Sequence, residues 1–430
     1  MGENEIEQKN ARRTSFSNLC TSRTIVAMLE VEDAVQRILD AIPPAPSERV
    51  PLSGAAGRVL AERISSSIDL PRFDNSAMDG YAVRAADVAG AKPDAPVRLR
   101  LRAKIPAGEN FSAELASDEC ARLFTGSPVP RGADAVVMQE DTRTDQAKPD
   151  AVLICDSARH GENVRRRGED VSRGTTLADA GDVMTPGRIG LLTATGVNEV
   201  SVGKRPVVGL LATGSELREA SDRSELAPGQ IYESNRAALA PLVTGAGGVP
   251  KIFPLVPDAL NATRAALENA FTESDAVVTS GGVSVGEMDF VKAAFEDLGG
   301  ELQFWKVAMR PGKPFAFGRW RGKFLFGLPG NPVSAFVTFL LLVRPALLRW
   351  QGARDTGLPV QPGVLAEPLA NRGDRRHFMR VRIDATGGVF SAGAQASHAL
   401  ASLAVADGLV SVPPQTALAA GQKVEVLRWN

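Results

Sequence analysis

The sequence predicts a multidomain α/β protein whose largest part is a mainly parallel sheet with helices on both faces. Its 430 residues are enough for about three domains of roughly 150 residues each. Apolar residues make up 44% of the chain and charged residues 23%, so it can bury real cores and is not expected to be disordered overall. From residue 206 onward, continuous apolar strands alternate with helices, which is typical of βα units in a parallel sheet.

The βα pattern runs from residue 206 to about residue 355. Continuous apolar runs predict strands at 207–212, 249–256, 276–279, 302–309 and 324–328. Helix-start residues predict a helix from Ser234 or Asn235 to about 243, a helix at 257–271, one from Asp289 to near 299, and an apolar helix opened by Asn331-Pro332. Open α/β sheets bind ligands outside the carboxyl ends of such strands.

The rest of the chain has a different sequence pattern. An amphipathic helix is predicted at 29–42, ended by Pro43-Pro44. Gly, Pro and Asp are frequent at 47–205, which predicts a loop-rich region with strands at 97–101, 135–138 and 152–154, a candidate strand at 182–184 and a helix at 187–195. Alternating strands at 378–383, 388–391, 409–412 and 423–427 predict a small C-terminal β-barrel or sandwich.

Two segments bear on targeting and membranes. Residues 1–27 are polar and mixed in charge and lack the apolar core of a secretory signal, which predicts a disordered extension with Met28 as a candidate functional start. The most apolar stretch, 333–343, is followed by Arg344-Pro345, which we expect to stop it well short of the ~20 residues of a membrane span. A buried core helix is therefore predicted, and no membrane partner.

Composition excludes several classes of site. The formal net charge is -1 and aromatics are 5% of the chain, so neither an electrostatic grip on nucleic acid nor a base-stacking platform is expected. Cys20, Cys120 and Cys155 are far apart with no CxxC spacing, so neither a disulfide framework nor a thiolate zinc site is supported. The three histidines are scattered without HExxH, so a bound metal would use oxygen ligands, as magnesium does.

Four loops follow strands of the predicted sheet: 213–216, 281–289, 310–314 and 329–334. Glycines let backbone N–H groups approach an anion closely, and a helix N-terminus adds favourable partial charge. Together the loops predict a phosphate or oxyanion site, although each one alone is equally typical of a tight turn. Neither GxxxxGK[ST] nor GxGxxG after a strand occurs, so an ordinary P-loop or dinucleotide site is not supported.

Charged residues occur in or beside these loops. Lys306, Arg310 and Lys313 surround Gly312 and suit an oxyanion, with a solvated surface cluster as the alternative.

Three carboxylates fall at the same predicted edge. Glu216, Asp258 and Asp289 could hold a divalent cation or handle protons, because bare carboxylates would repel a phosphate. Helix capping is an equal alternative for Asp258 and Asp289.

A second polar segment lies at 74–82, between apolar segments. Asp74 and Asp79, five residues apart, together with Asn75 and Ser76 could line a site. The alternative is a loop structured by Asx turns. Residues 125–130 form another such loop, beginning at Thr125.

Taken in order, eight segments resemble the molybdopterin molybdotransferase family, which includes MoeA and the E domain of gephyrin. The resemblance covers nearly the whole chain from about Met28, and eight segments in the right order are highly specific. The segments are 74–83, 124–137, 161–170, 213–217, 281–289, 310–318, 328–334 and 404–409.

The resemblance implies an elongated, L-shaped subunit of four parts after the extension at 1–27. An α/β molybdopterin-binding domain would take 28–46 and 206–355, and a β-rich linker domain 47–67 and 174–205. A mixed α/β domain would span 68–173, and a C-terminal β-barrel 356–430. It also implies a homodimer, in which the domain bearing Asp79 meets the α/β domain of the other subunit.

The resemblance further implies the activity. The family takes adenylylated molybdopterin and molybdate and yields molybdenum cofactor and AMP, assisted by Mg²⁺ or a similar divalent cation. We therefore expect a cytoplasmic transferase of molybdenum cofactor biosynthesis, with the molybdopterin adenylyltransferase as a further partner. Because the metal passes to the dithiolene sulfurs of the substrate, the enzyme needs no cysteine ligands of its own.

Site residues carry over by motif. The catalytic candidates are Asp79, Thr125, Glu216, Asp258 and Asp289, and the ligands of any metal stay unknown. The substrate-binding candidates are Asp74, Ser76, Gly281, Gly282, Ser284, Lys306, Arg310, Lys313, Pro329, Gly330, Asn331 and Pro332. Lys306 and Arg310 would bind molybdate or phosphate, and the two prolines would shape their loop. The family commonly has Lys where Arg310 stands, which keeps the charge but changes the geometry.

Two other functions are open at this point. One is the molybdopterin adenylyltransferase, whose single domain resembles residues 206–355; the additional segments 74–83 and 356–430 favour the metal-inserting step. The other is a non-catalytic scaffold of the gephyrin kind, against which the intact acidic and basic site residues argue.

Overall fold

The structure, a computed structural model, describes residues 28–109, 111–222, 224–283 and 290–429. The predicted extension at 1–27 and the candidate residues Ser284 and Asp289 lie outside the described residues. The chain forms two compact units. The first unit comprises the described residues of Met1–Ile42, Pro206–Leu347 and Thr356–Asn430, and the second unit comprises Pro43–Arg205 and Leu348–Asp355. The finer division into four parts stays a prediction.

The described chain begins in the first unit with helix α1, Val31–Ala41. Its apolar residues recur at helical spacing, and Val31, Ala34 and Ile38 are buried. The helix ends before Pro43-Pro44, because proline restricts the residue before it and cannot donate a backbone hydrogen bond.

The second unit is rich in short strands and contains helix α2, Pro186–Ala194, which Thr185 caps by accepting a hydrogen bond from the Arg188 amide. Its strands are β1 Ser47–Pro51, β2 Ile64–Ser65, β3 Asn75–Ser76, β4 Gly80–Val83, β5 Val97–Ile105, β6 Glu119–Leu123, β7 Ala135–Met138, β8 Thr142–Thr144, β9 Ala151–Ile154, β10 Val164–Arg165, β11 Thr176–Ala178 and β12 Glu199–Gly203.

A six-stranded sheet of order β7-β4-β6-β5-β9-β8 is the largest element of the second unit. Apolar side chains pack on both of its faces, represented by Leu99 on one and Leu123 on the other. A separate cluster around Leu60 and Leu192 joins β12 to helix α2. The candidate strand at 182–184 is an isolated bridge between Val59 and Val183.

The first unit continues with the α/β segment. Its helices are α3 Asn235–Gly245, α4 Leu260–Glu273, α5 Phe290–Asp297, α6 Pro332–Thr338 and α7 Arg344–Trp350. Its strands are β13 Val207–Ala212, β14 Leu217–Arg218, β15 Ile231–Tyr232, β16 Val249–Ile252, β17 Ala276–Ser280, β18 Glu301–Trp305, β19 Met309–Arg310, β20 Ala316–Trp320 and β21 Lys323–Leu328.

The central sheet has the order β16-β13-β17-β21-β20-β18. The first four strands are mutually parallel, and β20 is antiparallel to both of its neighbours. Strand β18 therefore runs in the same direction as β21, and its carboxyl end lies at the same edge. Strand β20 was not predicted, and the strand predicted at 302–309 was too long. It ends at Trp305 because Lys306 has φ +111°, a conformation that interrupts a strand.

The prediction that Arg344-Pro345 ends the apolar helix was wrong. A π-helical segment, Phe339–Val343, joins α6 to α7 and gives one helix from Pro332 to Trp350. The wider π turn immediately before Pro345 lets the chain pass a residue that cannot donate a backbone hydrogen bond. The helix is long and apolar enough to span a membrane, but 67% of its most apolar window is buried, as predicted for a core helix.

The last part of the first unit is a small barrel. Its elements are β22 Val360–Leu365, β23 Leu369–Asn371, β24 Arg376–Ile383, β25 Gly388–Ser391, α8 Leu400–Ala404, β26 Gly408–Val412, β27 Thr416–Leu418 and β28 Lys423–Arg428. Pairing runs β24-β25-β22-β28-β26 and returns from β26 to β24, so the sheet closes on itself. Of the two predicted architectures, the barrel is the one present. Strand β19 pairs with β24 and ties the α/β loops to it.

Candidate functional site

The described residues of the four predicted loops lie at one edge of the central sheet, and of the loop predicted at 281–289 these are residues 281–283. Strands β13, β17 and β21 end in register there: the Thr213 amide donates to the Ser280 carbonyl at 3.0 Å, and the Gly281 amide donates to the Leu328 carbonyl at 3.1 Å. Because these strands are parallel, the segments that follow them emerge side by side. The loop after β18 leaves from the same edge.

The loops enclose a cavity of about 330 Å³, hereafter the rim cavity. Each of the four loops contributes to its wall, and so does Asp258 at the end of the loop after β16. The lining residues are Thr213, Gly214, Glu216, Asp258, Gly281, Gly282, Val283, Pro314, Pro329, Gly330 and Asn331. The predicted convergence of the loops is confirmed by this wall.

Both glycines at the centre of the rim cavity are required by close packing. Gly281 has φ +89°, and a Cβ there would lie 2.6 Å from the Thr213 carbonyl oxygen. Gly282 has φ +66°, and a Cβ there would lie 2.7 Å from Val291 and 2.8 Å from the Thr213 hydroxyl. The tight-turn interpretation therefore holds for this pair, and the same turn brings their backbone to the cavity wall.

The two described carboxylates of the rim differ in their surroundings. Asp258 and Ser215 form a reciprocal pair: the Ser215 amide donates to Asp258 Oδ2 at 2.9 Å, and the Asp258 amide donates to Ser215 Oγ at 3.0 Å. Asp258 therefore holds two loops together and does not cap helix α4, which begins at Leu260. Glu216 is exposed at the cavity wall.

The three cations share one loop but do not line the rim cavity. The Lys306 amide donates to the Phe315 carbonyl and the Val307 amide to the Lys313 carbonyl, so the ends of this loop are held together. Within the described chain, Pro314 is the residue through which this loop reaches the rim cavity. Lys313 is exposed, Lys306 is partly buried, and Arg310 lies beside the barrel.

Arg310 faces a buried histidine of strand β24. Arg310 and His377 are partners in the β19–β24 pairing, and His377 is only 2% exposed. Burial is the main reason that the pKa of His377 is lowered to about 4, and the nearby guanidinium groups of Arg310, Arg380 and Arg375 lower it further. The structure thus places Arg310 at the junction of the loop and the barrel.

The second unit brings Asp79 and Thr125 together. Asp79 Oδ1 accepts hydrogen bonds from the Thr125 amide and from its hydroxyl, each of 2.8 Å, and both residues are exposed. These two bonds lower the pKa of Asp79 below its usual value, with a smaller contribution from Arg122. The pair therefore presents a fixed anionic carboxylate on the surface of this unit.

Asp74 and Ser76 are both held by hydrogen bonds within the second unit. Asp74 accepts a hydrogen bond of 2.8 Å from the Arg167 amide and forms a 3.4 Å ion pair with Arg166. Ser76 is fully buried, and its hydroxyl donates to the Met78 carbonyl. The structured-loop interpretation therefore fits Ser76, whereas Asp74 links its loop to the distant segment that carries Arg166 and Arg167.

Known proteins resemble this chain along most of its length. Three family profiles match it in order: "MoeA N-terminal region (domain I and II)" over residues 29–196, "Probable molybdopterin binding domain" over 209–349, and "MoeA C-terminal region (domain IV)" over 362–429. A molybdopterin molybdenumtransferase 2 of Mycobacterium tuberculosis is 42% identical over 388 residues, which are 89% of this chain and 94% of the relative. The chain belongs to the MoeA family of molybdopterin molybdenumtransferases.

Two further similarities extend over the MoeA fold. A molybdopterin molybdenumtransferase of Haemophilus influenzae is 36% identical over 414 residues, covering 94% of this chain and 99% of the relative. The crystal structure of a molybdopterin biosynthesis MoeA protein from Pyrococcus horikoshii OT3 superposes with a TM-score of 0.80 at 30% identity, covering 93% of this chain and 99% of that one.

This MoeA-family chain has a second cavity that the sequence did not indicate. The larger cavity, of about 570 Å³, adjoins the rim cavity and shares Thr213, Glu216, Gly330 and Asn331 with it. Pro332 also lines it. The other residues in its wall are Leu217, Ile231, Tyr232, Glu233, Ser234, Asn235, Ser280, His398 and Leu400.

Asn235 and His398 in this wall were missed as site residues. Asn235 was recognised only as a possible helix cap, and His398 lies in the barrel, far from the α/β loops in sequence. Their position depends on how the barrel packs on the sheet within the first unit, which no local pattern records.

Proposed function

We propose that this MoeA-family protein takes adenylylated molybdopterin and molybdate, transfers molybdenum to the molybdopterin and releases AMP. The observation that carries the proposal is the convergence of four strand-end loops on one rim cavity, within the segment that matches a molybdopterin-binding domain. The tight glycine turns let a phosphate approach the cavity wall closely, and an adjoining larger cavity suits the rest of an extended substrate.

Glu216 and Asp258 are proposed to act at the phosphate end of the substrate. Both line the rim cavity, and Asp258 is oriented by its reciprocal pair with Ser215. Among the described residues no group of three or more His, Cys, Asp or Glu side chains forms a metal cluster. Two carboxylates beside a phosphate site are nevertheless the donor set that Mg²⁺ uses, since it completes its shell with substrate oxygens and water. When bound, Mg²⁺ would neutralise charge on the phosphate oxygens.

Lys306, Arg310 and Lys313 are proposed to bind molybdate or a phosphate group. They lie on one loop at the same edge of the sheet, and the hydrogen bonds across that loop limit their spread. Arg310 presents a planar fork of donors that suits an oxyanion, whereas the lysines present compact charges. Their role is to orient the anion and to offset its charge.

Asp79 and Thr125 are proposed to complete the site from the other subunit of a homodimer. Their hydrogen-bonded pair is exposed and holds a charged carboxylate in a fixed position. A carboxylate kept ionised in this way can orient a donor group of the substrate or accept a proton from it. We propose a cytoplasmic enzyme that receives its substrate from a molybdopterin adenylyltransferase.

Single-turnover release of AMP tests the proposal. Purified protein is mixed with adenylylated molybdopterin, molybdate and Mg²⁺, and AMP and molybdenum cofactor are measured over time. Wild-type protein should release AMP in a molybdate-dependent reaction, and Lys306→Ala should slow that release with the fold intact. Absence of AMP release by folded wild-type protein contradicts the proposal, and consumption of ATP with molybdopterin would indicate the adenylyltransferase reaction instead.

A further inference from the structure

One side chain in the larger cavity links the ends of two parallel strands to the start of a helix. Asn235 is the first residue of α3, and its Nδ2 donates to the Ser280 hydroxyl and, at 2.7 Å, to the Gly330 carbonyl. Ser280 ends strand β17, and Gly330 lies in the loop after β21. Asn235 therefore sets the relative positions of three segments of the cavity wall.

The hydrogen bonds also determine which way the carboxamide faces. A carbonyl such as that of Gly330 can only accept, so the atom of Asn235 that faces it must be the nitrogen. Both N–H groups are then used, and in the part of the chain that the structure describes Oδ1 has no hydrogen-bond partner. Oδ1 is not among the buried unpaired atoms, so it is open to solvent where Asn235 lines the cavity.

The walls around Asn235 suit a flat ring. Tyr232 and Leu400 are 47% and 42% exposed, and His398 lies in the same wall. A heterocycle can pack its ring faces on the exposed aromatic and apolar side chains, while the N and N–H groups at its edge meet the polar side chains of the same wall. Because the larger cavity shares Glu216 and Gly330 with the rim cavity, a ligand with its phosphate in one can place a ring in the other.

We infer that Asn235 Oδ1 is a specificity-determining acceptor for an N–H group on the heterocycle of the substrate. The inference rests on the proposed function, because the heterocycle is taken from adenylylated molybdopterin. That substrate has two rings with an amino group, adenine and pterin, and either amine could donate to an amide carbonyl. Asn235 thus both joins Ser280 to Gly330 and selects the ring.

The test compares probes with and without the amino group. Dissociation constants are measured by calorimetry for AMP and purine riboside 5′-monophosphate, and for 6-hydroxymethylpterin and the lumazine in which oxygen replaces its 2-amino group. In wild-type protein, loss of the amine should weaken binding about tenfold in one of the two pairs. In Asn235→Ala the same change should matter less than about twofold. The pair that responds identifies the ring.

A second variant separates recognition from loop structure. Ser280→Ala removes one partner of Nδ2 but leaves Oδ1 in place, so it should keep the roughly tenfold preference for the amine even where overall affinity falls. Equal binding of both members of each pair by wild-type protein overturns the inference, as does failure to bind either pair. An equal loss for both members in Asn235→Ala, with no change in preference, also overturns it.

The result is distinguishable from that of the AMP-release assay. A wild-type protein that prefers the amine but releases no AMP would contradict the proposed function and leave Asn235 as the acceptor. A protein that releases AMP without preferring the amine in either pair would contradict the role of Asn235 alone.

Discussion

Polar side chains at the rim of the first unit and in the Asp74–Asp79 segment of the second unit differ in whether they have hydrogen-bond partners. In the second unit Asp74 is bound by the Arg167 amide, Ser76 by the Met78 carbonyl of its own loop, and Asp79 by Thr125. At the rim, the Glu216 carboxylate and the side-chain carbonyl of Asn235 face a cavity, while the polar groups behind them are hydrogen-bonded. The segment of the second unit is therefore organised before any ligand arrives, whereas the rim of the first unit leaves hydrogen-bond acceptors for a ligand to use.

The rim depends on a buried charge network behind it. Arg236 and Glu233 form an ion pair of 2.9 Å with side chains only 3% and 4% exposed, and Arg236 also binds Glu219 and the Phe253 carbonyl. This network holds the segment in which β14 pairs with β15, next to Glu216.

Removing the guanidinium should have the largest effect on stability. We expect Arg236→Ala to lower the free energy of local unfolding of the first unit by about 3–5 kcal/mol, because it leaves Glu233 buried without its partner. Hydrogen exchange measured on peptides of each unit separately would record the loss. As a control, Arg166→Ala removes an ion pair that is about half exposed in the second unit and should cost at most about 1 kcal/mol. Equal losses of stability in Arg236→Ala and Arg166→Ala would contradict the difference expected between a buried ion pair and an exposed one.

Neutralising the exposed Glu216 carboxylate at the rim cavity should have the next largest effect. We expect Glu216→Gln to slow AMP release about 100-fold while leaving stability unchanged, because a charge aimed into the cavity is lost from the reacting complex. The matched control is Glu225→Gln, an exposed carboxylate on the same segment. An unchanged rate in Glu216→Gln would remove this residue from the catalytic set.

His377, which lies where the loop carrying Arg310 meets the barrel, should make the stability of the fold depend on pH. His377 stays neutral in the fold down to a pKa of about 4, whereas the unfolded chain binds the proton near pH 6.5. Its contribution to the unfolding free energy should therefore fall by about 2–3 kcal/mol as the pH is lowered from 6.5 to 4.

NMR titration of the histidine ring checks this prediction, with His377→Gln to identify the signal. Arg310→Gln should raise the pKa of His377 by a smaller amount than burial lowers it, since burial is the larger cause. A His377 signal that titrates near pH 6.5 would contradict both the burial and the position of Arg310.

The smallest expected effect is on the preorganised carboxylate of the second unit. Thr125→Val removes the hydroxyl donor but keeps the backbone donor, so the pKa of Asp79 should rise part of the way toward its usual value of 3.8. Because the folded pKa is lowered, the contribution of Asp79 to stability is present above the unfolded pKa and is lost as the pH falls through the folded pKa. Carboxyl NMR titration measures the shift, and Thr144→Val on strand β8 is the control. An unchanged pKa of Asp79 in Thr125→Val would show that the Thr125 hydroxyl does not stabilise the charged carboxylate.

Much of the fold could be predicted because each element has its own local pattern. The continuous apolar strands β13 and β17 are buried along nearly their whole length, and helix α1 buries its apolar face. Barrel strand β28 alternates in burial over its first residues as predicted, whereas β24, predicted to alternate, is buried at five consecutive residues. Strand β20 was missed because it forms an antiparallel pair with β21, which follows it directly in sequence, and this departs from the βα alternation of the rest of the segment. The continuation of the apolar helix past Pro345 was not predicted, because it depends on a π turn.

Local sequence patterns indicated most of the strands and helices in their order, the glycine turns, and the carboxylates and cations that the loops carry. Those features follow from backbone sterics and side-chain chemistry within a few residues. Only the tertiary structure decided which of these groups share a cavity: Glu216 and Asp258 do, whereas Arg310 lies against the barrel and Asn235 joins the site. The physical reason is that a cavity wall is built from segments distant in sequence, whose meeting depends on strand register and core packing.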